Sequence, residues 1–375
     1  MSYLTNIFRL KSYWWLLIWP FVFGIFLTFI RHERMESVFG KEECRWEPWA
    51  AVVMALPLVL WAGFRGDIID TGSYRTMFSE LPAALSEWGA YLEEITKDKG
   101  FSVFSLVIKM LIGNRPQLYF LIIAIIQGVC IVPVLRKYSA NYWLSIFFFV
   151  ASTDYISWMY NTIRQFTAVC LIFAATTLIL KKKYIPAVLI ILLAALFHQS
   201  ALLMLPMVFI LHGKAFNKGA LICIIVAVGV LFFADRFTNL LERMMSDTQY
   251  VNVVSDWESW NDDGMNPIRV LVYSIPALFA LLGIRVIRQE NDIVVNFCVN
   301  ASVITTALGI VAMATSGIFM GRLLIYTSLY SSCILLPWEI ENIFTEKSAQ
   351  MVKLMAILGY VAFFYYQMHF TWGFM

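Results

Sequence analysis

Arginines stand at the ends of several apolar segments of this sequence, and Arg164 has polar neighbours at helical spacing. Asn161 precedes Arg164 by three residues and Gln165 follows it directly, at the start of a mostly apolar stretch. Residues three and four apart lie on one face of a helix, so we expect the three side chains to act together. A guanidinium keeps its charge at any biological pH and matches phosphate oxygens in pairs, which points to anion recognition.

Two further arginines occupy comparable positions. Arg65 follows an apolar segment and precedes Asp67 and Asp70, and Arg322 opens an apolar segment nearer the C-terminus. Several arginines at one membrane depth are suited to hold a lipid diphosphate and to stabilise it as a leaving group, which is electrostatic catalysis. The alternative is that an arginine at a helix end only reaches for lipid headgroups. We expect Asp67 or Asp70 to orient Arg65.

A histidine between two apolar segments is the main candidate for acid–base chemistry. His198 stands in AALFHQSALLML, close to Ser200. Ionisable residues inside membrane segments are functional by default, and an ordinary pKa of about 6.5 suits proton abstraction from a sugar hydroxyl. A hydrogen-bonded structural role for His198 stays open, and Asp67, Asp70 and Asp154 are rival bases.

Aromatic and sulfur-containing residues add little to this set. Tyr74 and Tyr326 are candidates for substrate contact because they follow Arg65 and Arg322, although tyrosines are also common at membrane interfaces. Most of the six cysteines lie inside apolar runs without metal-ligand spacing, which is typical of small hydrophobic residues. We therefore predict neither a metal nor a cofactor.

Membrane-spanning helices must position these residues. The 375-residue chain is 60% hydrophobic and 14% charged, whereas soluble domains carry about 25% charged residues. Apolar stretches of about 20 residues recur along the chain, so we predict an all-α, polytopic membrane protein with one integral membrane domain over residues 1–375. A formal net charge of +3 gives no reason to expect a nucleic-acid partner. About twelve spans are predicted, near residues 13–30, 49–63, 116–135, 142–158, 162–180, 184–197, 200–212, 219–234, 267–284, 292–314, 321–338 and 351–369.

The distribution of Lys and Arg predicts the orientation. Five short basic loops, which begin at residues 31, 136, 181, 212 and 285, fall on one side if twelve spans alternate, and such loops are cytoplasmic. The termini and two longer segments, about 64–115 and 235–266, are then outside, as are Arg65, Arg164, His198 and Arg322. Arg9 and Lys11 disagree with this assignment. Within the first segment, FSVFSLVIKMLIG is too short to cross and is expected to be interfacial or re-entrant.

Four motifs at these residues resemble a known family, the Wzy-like polymerases of bacterial surface polysaccharide, specifically the EpsG type. Their order and spacing agree over about residues 60–370. The motifs are R-G-D-x-x-D-x-x-x-Y from Arg65 to Tyr74, N-x-x-R-Q from Asn161 to Gln165, F-H-x-S-A-L from Phe197 to Leu202, and G-R-x-x-x-Y from Gly321 to Tyr326.

The resemblance implies a fold like that of GT-C-like polysaccharide polymerases and a glycosyltransferase activity. Oligosaccharide repeat units on undecaprenyl diphosphate, as donor and acceptor, would be joined at the outer face of the bacterial cytoplasmic membrane. Implied partners are the lipid bilayer, a chain-length regulator and a flippase. We expect catalytic roles for His198, Arg164, Arg322 and Asp67, and substrate contacts from Arg65, Asp70, Tyr74, Asn161, Gln165, Ser200 and Tyr326.

Three other functions remain open. A flippase of the lipid-linked unit has a similar number of helices, but its cationic groups should line a cavity open to both faces. An O-antigen ligase shares the donor and differs in the acceptor. An O-acyltransferase also has many spans and a functional histidine, but the outer position predicted for His198 opposes a cytoplasmic acyl donor.

Overall fold

The computed structural model describes residues 13–245 and 264–372, and it is 79% helical. The predicted all-α class is therefore correct in outline. The only sheet within these ranges is one two-stranded hairpin. The chain divides into two compact units, one comprising the residues up to Leu202 together with those from Gln350, the other Leu203–Ala349.

The first unit contains most of the predicted site residues. Its helices are α1 (Tyr13–Leu27), α2 (Pro48–Gly63), α3 (Thr71–Glu80), α4 (Trp88–Glu94), α5 (Lys99–Ile112), α6 (Pro116–Tyr138), α7 (Tyr142–Ala151), α8 (Asp154–Tyr160), α9 (Ile163–Ala174), α10 (Thr176–Leu180), α11 (Tyr184–Phe197) and, from Gln350, the last helix. Short 3₁₀ turns lie at Leu85–Glu87 and Gln199–Leu203.

The second unit is built around one long helix against which its neighbours pack. Its α-helices are α12 (Met204–Ile210), α13 (Lys218–Phe232), α14 (Ala234–Met245), α15 (Pro267–Leu282), α16 (Ile284–Glu290), α17 (Ile293–Ala314), α18 (Ile325–Ser328) and α19 (Leu336–Asn342), and the last helix α20 (Glu346–Tyr366) begins at its end. A 3₁₀ turn at Met320–Leu324 and a π-helix at Leu329–Leu335 flank α18. Helices α13, α15 and the π-helix pack against α17.

By length and composition, fewer of the described helices qualify as membrane spans than the twelve predicted. Among the described residues, four helical stretches are long and apolar enough to cross a membrane, or up to six if two bent pairs each count as one span. The bends are 109° between α13 and α14 and 70° between α15 and α16. Six shorter apolar helices coincide with other predicted spans. The sequence therefore locates the apolar helices, but twelve crossings are not confirmed.

A β-hairpin replaces the loop expected after the first span. Strands β1 (Glu33–Val38) and β2 (Lys41–Trp46) pair antiparallel. They are joined by Phe39 and Gly40, which both have positive φ, at 52° and 85°, as a two-residue hairpin turn requires. Arg136, at the end of α6, donates to both carboxylate oxygens of Glu36 at 2.9 and 3.0 Å, and this ion pair fixes the hairpin to α6.

The predicted interfacial segment 101–113 forms α5, which buries one side in an aromatic cluster with α3 and α6. Phe101 and Leu106 are fully buried there, and the rings of Phe78 and Tyr119 stack with centroids 4.2 Å apart. The Lys109 ammonium donates to two backbone carbonyls at the end of α3, where a helix leaves acceptors without partners. These contacts attach α3 and α5 to the long helix α6.

The predicted common face of Asn161, Arg164 and Gln165 is wrong, because the helix breaks between them. Helix α8 ends at Tyr160 and α9 begins at Ile163. Thr162 has a non-helical ψ of 49°, and its hydroxyl donates to the carbonyl of Trp158. Thr and Asn side chains bond to nearby backbone in this way and so compete with helix continuation.

Candidate functional site

Arg164 lies in the first turn of α9, half-buried, and it contacts residues of two other helices, α3 and α5. Its Nη1 is 3.5 Å from Oδ2 of Asp98, and its Nη2 is 3.4 Å from the sulfur of Met77. The guanidinium carbon lies 5.6 Å from the ring centre of Tyr74 and 5.4 Å from that of Phe101, which are cation–π distances. With 30% of the side chain exposed, Arg164 is partly available to a charged group.

Asp98 is a site residue that sequence reasoning missed. It occupies the N-cap position of α5 with a φ of 52°, and its side chain is only 8% exposed. Asp98 could have been noticed as a carboxylate immediately before an amphipathic helix. The flanking lysines Lys97 and Lys99, however, give this segment the composition of a solvent-exposed loop. Asp98 places a negative charge directly beside Arg164.

A second polar group joins two of the predicted motifs. Gln165 Nε2 donates to the hydroxyl of Ser200 at 3.2 Å, and the same hydroxyl lies 2.7 Å from Nδ1 of His198. The break between α11 and the 3₁₀ turn makes this possible, because His198 is in extended conformation with φ of −159°. Ser200 therefore connects the N-x-x-R-Q residue Gln165 with the imidazole.

Aromatic rings connect the two polar groups. Phe101 is fully buried and lies 6.4 Å from Tyr74 and 6.3 Å from Phe197, between ring centres. Phe197 directly precedes His198 in the chain. Tyr74, Arg164, Gln165, His198 and Ser200, which the sequence predicted, are thus gathered in one region of the first unit around Phe101.

Arg65 does not join this group and is buried at 1% exposure. Its guanidinium donates to the carbonyls of Ala62 and Met159 at 2.8 and 3.2 Å and to the Thr71 hydroxyl at 3.1 Å, and it lies 4.3 Å from the Phe120 ring centre. Burial lowers the pKa of Arg65 to about 10, so it stays charged near neutral pH. Its charge is largely paired inside the protein, and the expected substrate contact of Arg65 stays a prediction.

The structure does not show the expected pairing of Arg65 with Asp67 or Asp70. None of the contacts of Arg65 with the described residues involves either carboxylate. Asp67 is 65% exposed and pairs with Arg75 at 2.8 Å, while Asp70 precedes α3 at its N-cap position without a side-chain capping bond. Asn161 follows α8 with its side-chain oxygen buried and without a hydrogen-bond partner among the described residues.

The remaining predicted residues lie in the second unit. Arg322 is half-buried in the 3₁₀ turn Met320–Leu324, and Tyr326 is buried in α18 at 2% exposure. Their predicted roles stay predictions. Within residues 13–245 and 264–372, no three His, Cys, Asp or Glu side chains are gathered as metal ligands.

Comparison with known proteins identifies the family. The model of the EpsG family matches residues 49–373, which includes all four motifs. The chain belongs to the EpsG family. No curated protein and no solved structure matches it.

Membership of the EpsG family fixes the broad function. It indicates a polymerase-like, glycosyltransferase-like protein of polysaccharide biosynthesis, and the apolar helices make this EpsG protein a membrane protein. The region matched by the family begins at the start of α2 and excludes the hairpin.

Proposed function

We propose that this EpsG-family protein joins oligosaccharide repeat units carried on undecaprenyl diphosphate into a surface polysaccharide, which is an O-antigen, a capsule or an exopolysaccharide. The observation that carries the proposal is the meeting of two motifs, which brings the partly exposed guanidinium of Arg164 into the same region as the Gln165–Ser200–His198 network. Transfer from a diphosphate carrier to a hydroxyl needs these two functions, charge stabilisation of the leaving group and acceptance of a proton.

In the proposed reaction, an acceptor hydroxyl oxygen bonds to the anomeric carbon of the donor while the bond from that carbon to the diphosphate oxygen breaks. The hydroxyl proton passes to His198, and the bonding electron pair leaves with the diphosphate. We assign proton acceptance to Nε2, since Nδ1 faces the Ser200 hydroxyl. Ser200 and Gln165 orient the ring for this step.

In this proposal, Arg164 stabilises the negative charge of the leaving group. It stands in the first turn of the 12-residue helix α9, and the positive end of a helix dipole adds to its attraction for an anion. Asp98 offsets part of the positive charge on one side, so the diphosphate approaches Arg164 from the exposed side. We place this site at the outer face of the bacterial cytoplasmic membrane, following the distribution of basic loops.

The test uses purified protein with a lipid-diphosphate-linked repeat unit and a gel that resolves chain length. Wild-type protein is expected to give a ladder of products, and Arg164→Ala is expected to lose about 100-fold or more of the activity, as loss of a charge-stabilising donor does. Arg115→Ala is the matched control, because Arg115 is an exposed arginine at the N-terminal end of another helix, α6. Its activity should equal that of wild type.

Three results would contradict the proposal. Equal ladders from wild type and Arg164→Ala would remove Arg164 from the site. Unchanged substrate that crosses the bilayer of liposomes containing the protein would identify a flippase instead. Transfer of a single unit to a different acceptor, with no ladder, would identify a ligase.

A further inference from the structure

Two polar atoms of the Asp98–Arg164 pair in the first unit are buried without hydrogen-bond partners among the described residues. They are Oδ1 of Asp98 and Nε of Arg164, on side chains whose other ends lie 3.5 Å apart. Buried polar groups in proteins are almost always hydrogen-bonded, and leaving one unpaired costs about 1–3 kcal/mol. An unpaired acceptor and an unpaired donor on one ion pair fit a ligand that both donates and accepts.

A sugar hydroxyl has this property, whereas a diphosphate does not. Diphosphate oxygens only accept hydrogen bonds and carry negative charge, so the Asp98 carboxylate disfavours them on its side of Arg164. A hydroxyl can donate to Asp98 Oδ1, and it or its neighbour on the ring can accept from Arg164 Nε. Tyr74 and Phe101 supply aromatic surface within 6 Å of the guanidinium, and ligand sites combine such surface with a few polar groups.

We propose that Asp98 and Arg164 form a subsite for an uncharged sugar residue of the lipid-linked oligosaccharide, in which Asp98 recognises a hydroxyl. The proposal rests on the proposed function and adds a specificity-determining residue to it. Arg164 then serves two ligand groups, the diphosphate from its exposed side and the sugar from the side of Asp98.

The backbone at Asp98 supports a fixed direction for the carboxylate. Its carbonyl accepts from the amides of Phe101 and Ser102 at 3.0 and 3.2 Å, which holds the residue at a φ of 52°. This conformation is uncommon for residues other than glycine and is retained where the surrounding structure enforces it. Asn adopts it as readily as Asp, so Asp98→Asn removes the charge without disturbing the fold.

The experiment measures binding by calorimetry to the full-length protein in nanodiscs, with two probes. One is the lipid-free repeat-unit oligosaccharide released by mild acid from the lipid-linked intermediate of the host strain, and the other is undecaprenyl diphosphate without sugar. Asp98→Asn should weaken binding of the oligosaccharide about 10- to 100-fold, as loss of a hydrogen bond to a charged group does. Binding of undecaprenyl diphosphate should be unchanged or tighter, because a like charge is removed beside Arg164.

Two further variants separate recognition from folding. Asp98→Gly removes the carboxylate and relieves the positive φ, so it should lose oligosaccharide binding while its thermal stability equals or exceeds that of wild type. Glu94→Gln changes an exposed carboxylate four residues earlier and should bind both probes as wild type does.

The subsite is overturned if Asp98→Asn binds the oligosaccharide as tightly as wild type, or if it weakens both probes equally. It is also overturned if wild type binds undecaprenyl diphosphate but not the oligosaccharide, and the proposed polymerase function then still stands. If oligosaccharide binding depends on Asp98 but no product ladder forms, the subsite is supported and the polymerase function fails.

Discussion

Arg65 and Arg164 are alike in the sequence, since each stands at an end of an apolar segment within a motif, but the structure gives them opposite environments. The guanidinium of Arg65 is enclosed by backbone carbonyls, a hydroxyl and aromatic rings. That of Arg164 is partly exposed and faces one carboxylate. A residue type and its position near a helix end therefore do not reveal whether a charge serves folding or ligand binding. The deciding feature is the number of hydrogen-bond acceptors that the folded chain places around the guanidinium.

The first prediction at this scale concerns Arg65. Arg65→Ala leaves three acceptors unsatisfied and a cavity beside Phe120, so we expect a loss of stability on the order of 3 kcal/mol. Asp67→Ala, at an exposed position of the same motif, should cost about 0.5 kcal/mol or less. Thermal unfolding of the detergent-solubilised proteins measures both. Equal stabilities for Arg65→Ala and wild type would contradict the structural role.

The second prediction concerns Ser200, which touches both Gln165 and His198. Ser200→Ala removes the group that orients the imidazole, so kcat should fall about tenfold or more and the pH profile of activity should shift. Ser200→Thr retains the hydroxyl and should restore both. If the alanine variant had the wild-type pH profile, Ser200 would not act through His198.

Part of the site could be predicted at this scale and part could not. Gln165, His198 and Ser200 stand in motifs whose polar residues interrupt apolar runs, and they do meet. Asp98 was missed because a single carboxylate between two lysines has the composition of a surface loop. Its burial depends on α5 packing against helices that lie elsewhere in the sequence, which no local pattern encodes.

At the scale of elements, the site depends on where helices end and on how closely they approach each other. Helix α5 begins against the end of α11, and a Cβ atom built on Gly100 would lie 2.5 Å from Cβ and 2.7 Å from the carbonyl oxygen of Leu196. This close approach brings Asp98 and Phe101 to the end of α11, which His198 directly follows. The apolar runs predicted these helices, but not the breaks, where Thr162 bonds to the carbonyl of Trp158 and His198 contacts the hydroxyl of Ser200.

Gly100→Ala tests this approach. The methyl group would meet the backbone of Leu196, so α5 and α11 must separate, and we expect reduced stability of about 1–3 kcal/mol together with reduced polymer formation. Gly113→Ala is not a suitable control because of its positive φ, whereas Gly89→Ala changes an exposed glycine with open space around it and should leave both properties unchanged. Wild-type stability and activity in Gly100→Ala would show that the approach is not required.

The hairpin gives a prediction with a pH dependence. The pKa of Glu36 is lowered from its ordinary value of 4.5, chiefly by the hydrogen bond from Arg136. A lowered pKa in the folded state means that the ion pair contributes stability above the ordinary pKa, and that this contribution is lost as the pH falls through the folded-state pKa. Glu36→Gln should therefore unfold at a lower temperature than wild type at pH 7, by an amount equivalent to about 1 kcal/mol or less.

The difference between Glu36→Gln and wild type should disappear in acid, when Glu36 of the wild type is protonated. Thermal unfolding from pH 7 down to pH 3 measures this. Glu42→Gln, which changes an exposed carboxylate on the partner strand, should match wild type throughout. A stability difference that persists unchanged at the lowest pH would exclude the ion pair as its cause.

At the scale of the whole molecule, an apolar interior surrounds a carboxyl group that has no assigned role. Glu339, in α19 of the second unit, is fully buried, and neither carboxylate oxygen has a hydrogen-bond partner within the described residues. Burying an unpaired carboxyl costs several kcal/mol. The membrane class could be predicted because it follows from composition. The burial of Glu339 could not, because a glutamate near the end of an apolar segment has no distinguishing pattern in the sequence.

Glu339→Met should raise the stability of the protein by about 1–4 kcal/mol, since an apolar side chain of similar volume replaces the carboxyl. Thermal unfolding measures the gain, with Glu341→Gln at the exposed end of α19 as the control. If activity falls while stability rises, Glu339 is retained for function at a cost in stability. A decrease in stability would show that the carboxyl group is favourably paired in the protein.

The bond between Arg65 and the carbonyl of Met159 also has a consequence for biogenesis. The two residues are 94 positions apart, so at about 5–20 residues per second the ribosome makes the acceptor about 5–20 seconds after the donor. Until α8 emerges, helix α2 carries a cation at its end that has not yet acquired its full set of acceptors. During that interval the guanidinium must remain hydrated at the membrane surface, and its enclosure marks a late step in the assembly of the first unit.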